Sequence, residues 1–226
     1  MDFLASVAAW FADPAHWQGE DGIPVRLLEH LQLSGLAIGI AAAIALPVGL
    51  SLGHTGRGAF VAINVANLGR ALPSLALIAL GLVFSITLGL GLGFWPTLFA
   101  LVPLALPPIL TNTYVAVRGV DRDTVEAARG MGLRESQILG QVELPLALPL
   151  ILAGLRTASV NVVATATLGA LVAGGALGRY IVDGLATQEY ERLFAGALLV
   201  ALLAIATELG FGILSRTARY SGSAAG

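Results

Sequence analysis

Leu31–Leu52, LQLSGLAIGIAAAIALPVGLSL, runs for 22 residues without a charged side chain. A helix needs about 20 such residues to cross the hydrocarbon of a bilayer. Outward from it, the other 204 residues repeat the pattern: uncharged runs extend over Ala71–Gly93, Phe94–Val117, much of Leu144–Gly178 with Arg156 inside it, and Leu193–Ser215 with Glu208 inside it. Over the whole chain 57% of residues are hydrophobic and 12% charged, about half the charge of a soluble domain. The expected fold is therefore an all-α integral membrane protein of about five transmembrane helices.

Five spans put the chain ends on opposite faces of the membrane, and arginine placement orients them. Arg57, Arg70, Arg118, Arg122, Arg129, Arg134, Arg216 and Arg219 fall on one side, against Arg26, Arg179 and Arg192 on the other. This predicts the N-terminus outside, the C-terminus cytoplasmic, and a multi-pass membrane protein. It divides the chain into an outer interfacial segment 1–30, one transmembrane domain 31–215 and a cytoplasmic tail 216–226. The Trp10, Phe11 and Trp17 aromatics suit an interfacial position, and residues 1–20 lack the basic start of a signal peptide. The apolar run from Gly58 to Gly69 is too short to span; it reads as an interfacial or protein-packed helix, or as part of a longer tilted one.

Several functions are excluded by composition. The net charge of −2 offers no basic patch to nucleic acid. Without cysteine there is no disulfide, thiol nucleophile or cysteine metal site, and His16, His30 and His54 lie too far apart in sequence to read as a metal site. With no lysine there is no phosphate-binding loop of the glycine-lysine type. No catalytic residue, metal ligand or cofactor bound by this chain is expected.

The third run holds Pro96, Pro103, Pro107 and Pro108, followed by Thr111, Asn112 and Thr113. Breaks of this kind are tolerated in membranes where freed carbonyls meet neighbouring helices, hydroxyls or water, so the helix is either kinked for packing or lines a path. Asn112, Thr111, Ser159, Asn161, Thr165 and Thr167 are the pathway candidates, with helix-to-helix hydrogen bonding as the other reading of each. Arg156 lies roughly 16 Å above Pro145 and Glu208 roughly 12 Å above Arg216 at 1.5 Å per residue. Charges at such depth are costly, so these two are expected to pair or to share a hydrated cavity.

The loop 121–145 has a helical grammar of its own. Asp123 with Glu126 three residues later forms an acidic capping pattern, Gly132 suits a left-handed stop, and Pro145 suits the first turn of the next span. A second short helix, about Arg134–Gln141, would place Leu133, Ile138 and Leu139 on one side. Small Ala127 and Ala128 beside Met131 fit a knob that enters a partner's groove, unless the hairpin folds back on its own span ends.

On these residues the chain resembles a known family. Glu126-Ala127-Ala128, then Gly132, then Val142, Glu143, Leu144 and Pro145 reproduce the EAA loop of ABC importer permeases, with Val142 where isoleucine is usual. Arg70-Ala71-Leu72-Pro73-Ser74-Leu75, the Leu106–Tyr114 stretch LPPILTNTY, the Glu143–Pro149 stretch ELPLALP and the Gly174–Tyr180 stretch GGALGRY resemble its osmoprotectant branch, which carries glycine betaine, proline betaine, choline or carnitine. The resemblance implies that Glu126, Ala127, Ala128, Gly132, Leu133 and Ile138 couple the permease to ABC ATPase subunits, on which ATP and Mg would be bound. It also implies a second permease copy or a sister permease, and an extracytoplasmic substrate-binding protein. An ABC permease for an amino acid such as methionine, and a secondary transporter, are the other readings.

Overall fold

The computed structural model describes residues 3–58, 60, 64 and 71–223, the last eight without side chains. Almost all of the short apolar run 58–70 lies outside the described residues. The described elements are helical: α1 Phe3–Ala12, α2 Ile23–Thr55, α3 Ser74–Thr87, α4 Phe94–Arg118, α5 Arg122–Gly130, α6 Glu135–Ile138, a wide turn Leu139–Glu143 that runs directly into α7 Leu144–Thr165, α8 Gly178–Thr187 and α9 Tyr190–Ser223.

Helix α4 is the centre of the bundle. Along α2, Leu33, Ala37, Ala41, Ala45, Gly49 and Gly53 are all buried; a strict four-residue repeat makes one continuous ridge of small residues that lets backbones approach. A Cβ added at Gly49 would stand 2.7 Å from the Thr113 Cβ, and one at Gly53 2.7 Å from the Val117 Cβ. From the far side, Gly154 of α7 gives the same close approach to Asn112. Leu98, Leu101, Ala105 and Ile109 of α4 fill the space between these helices with Ala158 and Val162 of α7.

Among the described residues, four helical stretches are long and apolar enough to cross a membrane: Ile23–Thr55, Phe94–Arg118, Glu135–Val172 and Tyr190–Ser215. The expected second span differs, because α3 has 14 residues, about 21 Å at 1.5 Å per residue. Its apolar run ends in a turn in which Gly89, Gly91 and Gly93 all take positive φ, the Ser85 hydroxyl donates to the Gly91 carbonyl at 2.6 Å, and the Gly93 N–H donates to the Val172 carbonyl at 2.7 Å.

The helix that holds the first span begins at Ile23, with Pro24 in its first turn, so residues 23–30 are its first two turns. Its early charges are matched inside the fold. Arg26 pairs with Glu29 at 2.8 Å and with Asp21, and the buried His30 ring meets the Val163 carbonyl at 2.9 Å. Helix α1 packs its Phe3 edge-on to Phe194 of α9. The proline-rich α4 remains one helix, and Thr113 and Asn112 return hydrogen bonds to the Ile109 and Pro108 carbonyls at 2.7 Å each.

Candidate functional site: the loop between α4 and α7

Asp121, not Asp123, caps α5; its carboxylate accepts from the Asp123 N–H at 3.3 Å. Asp123 sits in the first turn, where a negative charge favours the helix dipole. After Met131, Gly132 takes φ +88°, and the chain reverses into α6, where the Gln137 side chain accepts from the Arg134 N–H at 2.9 Å.

The hairpin has an inner and an outer face. Ala128 is 2% exposed and Ile138 fully buried, so Ile138 anchors the loop to its own chain instead of reaching outward. Glu126, Ala127, Gly132 and Met131 are exposed, and Leu133 is half-buried. Met131, at 75% exposure, is the most prominent apolar side chain of the loop. A small-residue face with one soft, adaptable side chain suits docking into a partner's cleft.

Beneath that face lies a chain of charges. Arg129 of α5 grips Glu135 of α6 through two bonds of 2.8 and 3.0 Å. That hydrogen bond raises the Arg129 guanidinium pKa and holds the Glu135 carboxyl below its usual value. Glu135 stands 3.3 Å from Nε2 of His54 at the end of α2, whose Nδ1 is 2.5 Å from Glu143 at the root of α7. A cavity of about 160 Å³ adjoins these groups, lined by His54, Arg118, Arg122, Glu126, Arg129 and Glu143 among others. His54 and Glu135 were not singled out from the sequence as site residues. The signal for His54 is weak, since its bond to Glu143 joins residues 89 apart.

The remaining candidates are scattered. Asn112 bonds within its own helix, Thr111 and Ser159 bury hydroxyls without a partner, Thr165 and Thr167 are half-buried, and Asn161 is exposed on α7. Arg156 of α7 pairs with Glu208 of α9, closing the contact between those helices.

At the opposite end of the bundle, Glu29 accepts from the Ala176 N–H at 2.7 Å. The glycine-rich turn it holds contains Ala173 and Ala176 at positive φ. A cavity of about 120 Å³ there is lined by Glu29, Gln32, Phe94, Thr97, Gly174 and Gly175 among others.

Residues 35–220 match the profile of the family described as "Binding-protein-dependent transport system inner membrane component". The chain is 37% identical over 191 residues to the choline transport system permease protein OpuBB of Bacillus subtilis (strain 168), covering 84% of this chain and 86% of that one. It is 34% identical over 211 residues to the carnitine transport permease protein OpuCB of Listeria monocytogenes, covering 93% and 92%. Among solved structures, an inward-facing form of the MetNI methionine ABC transporter superposes with a TM-score of 0.76 at 21% identity, covering 91% of this chain and 98% of that one. An amino acid ABC transporter crystallised with histidines superposes at 0.68 and 20% identity, covering 96% and 97%.

Proposed function

We propose a function from one premise: the chain belongs to the family of inner-membrane components of binding-protein-dependent transport systems. It is a multi-pass membrane protein, and we infer that it is the permease subunit of an ATP-driven importer for quaternary-ammonium osmoprotectants such as glycine betaine, choline or carnitine. The observation that carries this is identity of 34–37% across most of the chain to permeases named for choline and carnitine transport. The likeness to methionine and amino acid transporters, at 20–23% identity, supports the fold alone.

In this reading the arginine-rich side is cytoplasmic. Two ABC ATPases there bind ATP and Mg and grip the exposed face of the hairpin, chiefly Glu126, Ala127, Met131 and Leu133, while Ala128, Gly132 and Ile138 give the hairpin its shape. ATP-driven closure of the ATPases shifts the hairpins of two permeases, this chain and a copy or sister, and so alternates access to the path between them. This chain has no catalytic role and binds no cofactor. Asn161 supports a path or interface along α7, because an uncovered amide in hydrocarbon is costly and this one is exposed in the single chain.

A quaternary ammonium ion is best held by aromatic faces, and only 7% of the residues are aromatic. Tight recognition therefore belongs to the binding protein, with weak polar contacts along the path. The test is uptake by the whole importer in proteoliposomes with its binding protein. ATP-dependent uptake of choline, carnitine or glycine betaine, without uptake of methionine, is expected; methionine uptake with none of the three overturns the substrate assignment.

A further inference from the structure

Helix α2 is longer than a hydrocarbon core is thick. It runs 33 residues, about 50 Å at 1.5 Å per residue against a hydrocarbon core of about 30 Å, and its last turn carries His54 beneath the hairpin. The His54 side chain is 15% exposed and that of Glu143 6%, whereas Glu135 on the hairpin is 57% exposed. One ring therefore touches a buried carboxylate at the root of α7 and an exposed one on the loop. The neighbouring Gly53 packs directly on Val117 of α4, with no room for a Cβ between them.

We propose that His54 is the positioning residue that fastens the loop to the spanning helices, so that displacement of α5 and α6 is passed through Glu135 to α2 and, through Glu143, to α7. This rests on the importer reading above and adds a transmission element to it.

An ionised carboxylate only accepts hydrogen bonds. Both contacts are attractive at once only when both ring nitrogens carry a proton. A neutral ring protonated at Nδ1 keeps Glu143 and turns a lone pair toward Glu135, which releases the loop side of the link. The other charged groups around the link are Arg129, which holds the far side of Glu135, and Arg118, Arg122 and Glu126, which line the adjoining cavity. Among the described residues the His54 ring is what contacts both carboxylates, so it is the joint between loop and spanning helices.

A staple that only stabilises the fold would leave the ratio of solute moved to ATP hydrolysed unchanged. The test therefore measures that ratio for the complete importer in proteoliposomes, for the native chain and for His54→Gln. The variant is expected to show a ratio lower by about tenfold, the order carried by one charge-assisted hydrogen bond, with its ATPase still attached. A variant ratio equal to the native one overturns the proposal. If His54→Gln fails to assemble, Glu135→Gln removes only the exposed side of the link; an unchanged ratio there overturns the proposal equally. The link is also read without transport, by amide exchange of residues 122–138 in the isolated permease. Faster exchange in His54→Gln supports it and unchanged exchange contradicts it. A native importer that moves no quaternary ammonium ion, with exchange still faster in the variant, breaks the functional reading and leaves the link standing.

Discussion

The two ends of the bundle are held together by different means. At the end bearing the glycine-rich turn, ion pairs such as Arg26–Glu29 and Arg192–Asp183 are backed by contacts to backbone: Glu29 to the Ala176 N–H, the Tyr180 hydroxyl to the Asp21 carbonyl at 2.5 Å, the Gly93 N–H to Val172. At the hairpin end, the contacts run from side chain to side chain through Arg129, Glu135, His54 and Glu143. Backbone contacts across tightly packed turns have one geometry and resist displacement. The outer pairs, such as Arg129–Glu135 with both side chains more than half exposed, are individually weak and re-form readily. The first arrangement suits a frame, and the second suits a part that moves against it.

The contrast is broken most strongly at Gly178. A Cβ there would stand 2.2 Å from the Thr167 carbonyl oxygen and 2.6 Å from its Cα, both backbone atoms that cannot swing aside. Gly178→Ala is expected to cost about 1–3 kcal/mol of stability, the usual range for overpacking, seen as a lower unfolding temperature in detergent. Gly130→Ala on the hairpin, where an added Cβ meets nothing within 4 Å, should leave that temperature unchanged or raise it, since alanine is the better helix former. Equal losses at both positions would erase the distinction.

A smaller effect is expected from Glu29→Ala. It strips Arg26 and the Ala176 N–H of a common acceptor, and because the carboxylate is 40% exposed the cost lies near the low end of about 1–3 kcal/mol. Loss of stability together with a shift in the exchange of residues 173–178 is the expected pattern.

Glu135→Gln should disturb stability least, although it cuts the loop link. Arg129 holds the Glu135 carboxyl below its ordinary value, so whatever the pair contributes is present above the unfolded-state value and is lost as pH falls through the lower folded one. The difference in unfolding temperature between native and variant should thus be constant from neutral to mildly acid pH, vanish on further acidification, and shrink with salt. A difference that grows with acidification contradicts the pairing.

How much of this could be read from residues follows the reach of each signal. The apolar runs and the loop motif are local, and the all-helical membrane fold and the α5 helix follow from them. Arg26, Glu29 and His30 read as a boundary in sequence, yet they lie inside α2; Arg26 has neighbours for partners, whereas Glu29 reaches Ala176, 147 residues away, and His30 reaches Val163, 133 residues away. The second span was drawn too long because hydropathy does not register the positive φ of Gly89, Gly91 and Gly93. Two aspartates two residues apart compete for one cap, and composition does not separate Asp121 from Asp123. The motif resemblance implies a coupling role for Ile138, whereas the structure buries it fully against its own chain. The joint at His54 depends on three segments meeting, which no single stretch of sequence contains.

The central claim is that the hairpin engages an ABC ATPase. It is tested most directly by purifying the tagged permease from its native membrane in mild detergent, with mass spectrometry of what is retained, beside Glu126→Lys. An ATPase that stays with the native chain and is lost from the variant, while both remain folded, is the predicted result. A folded native chain that retains no ATPase would contradict it.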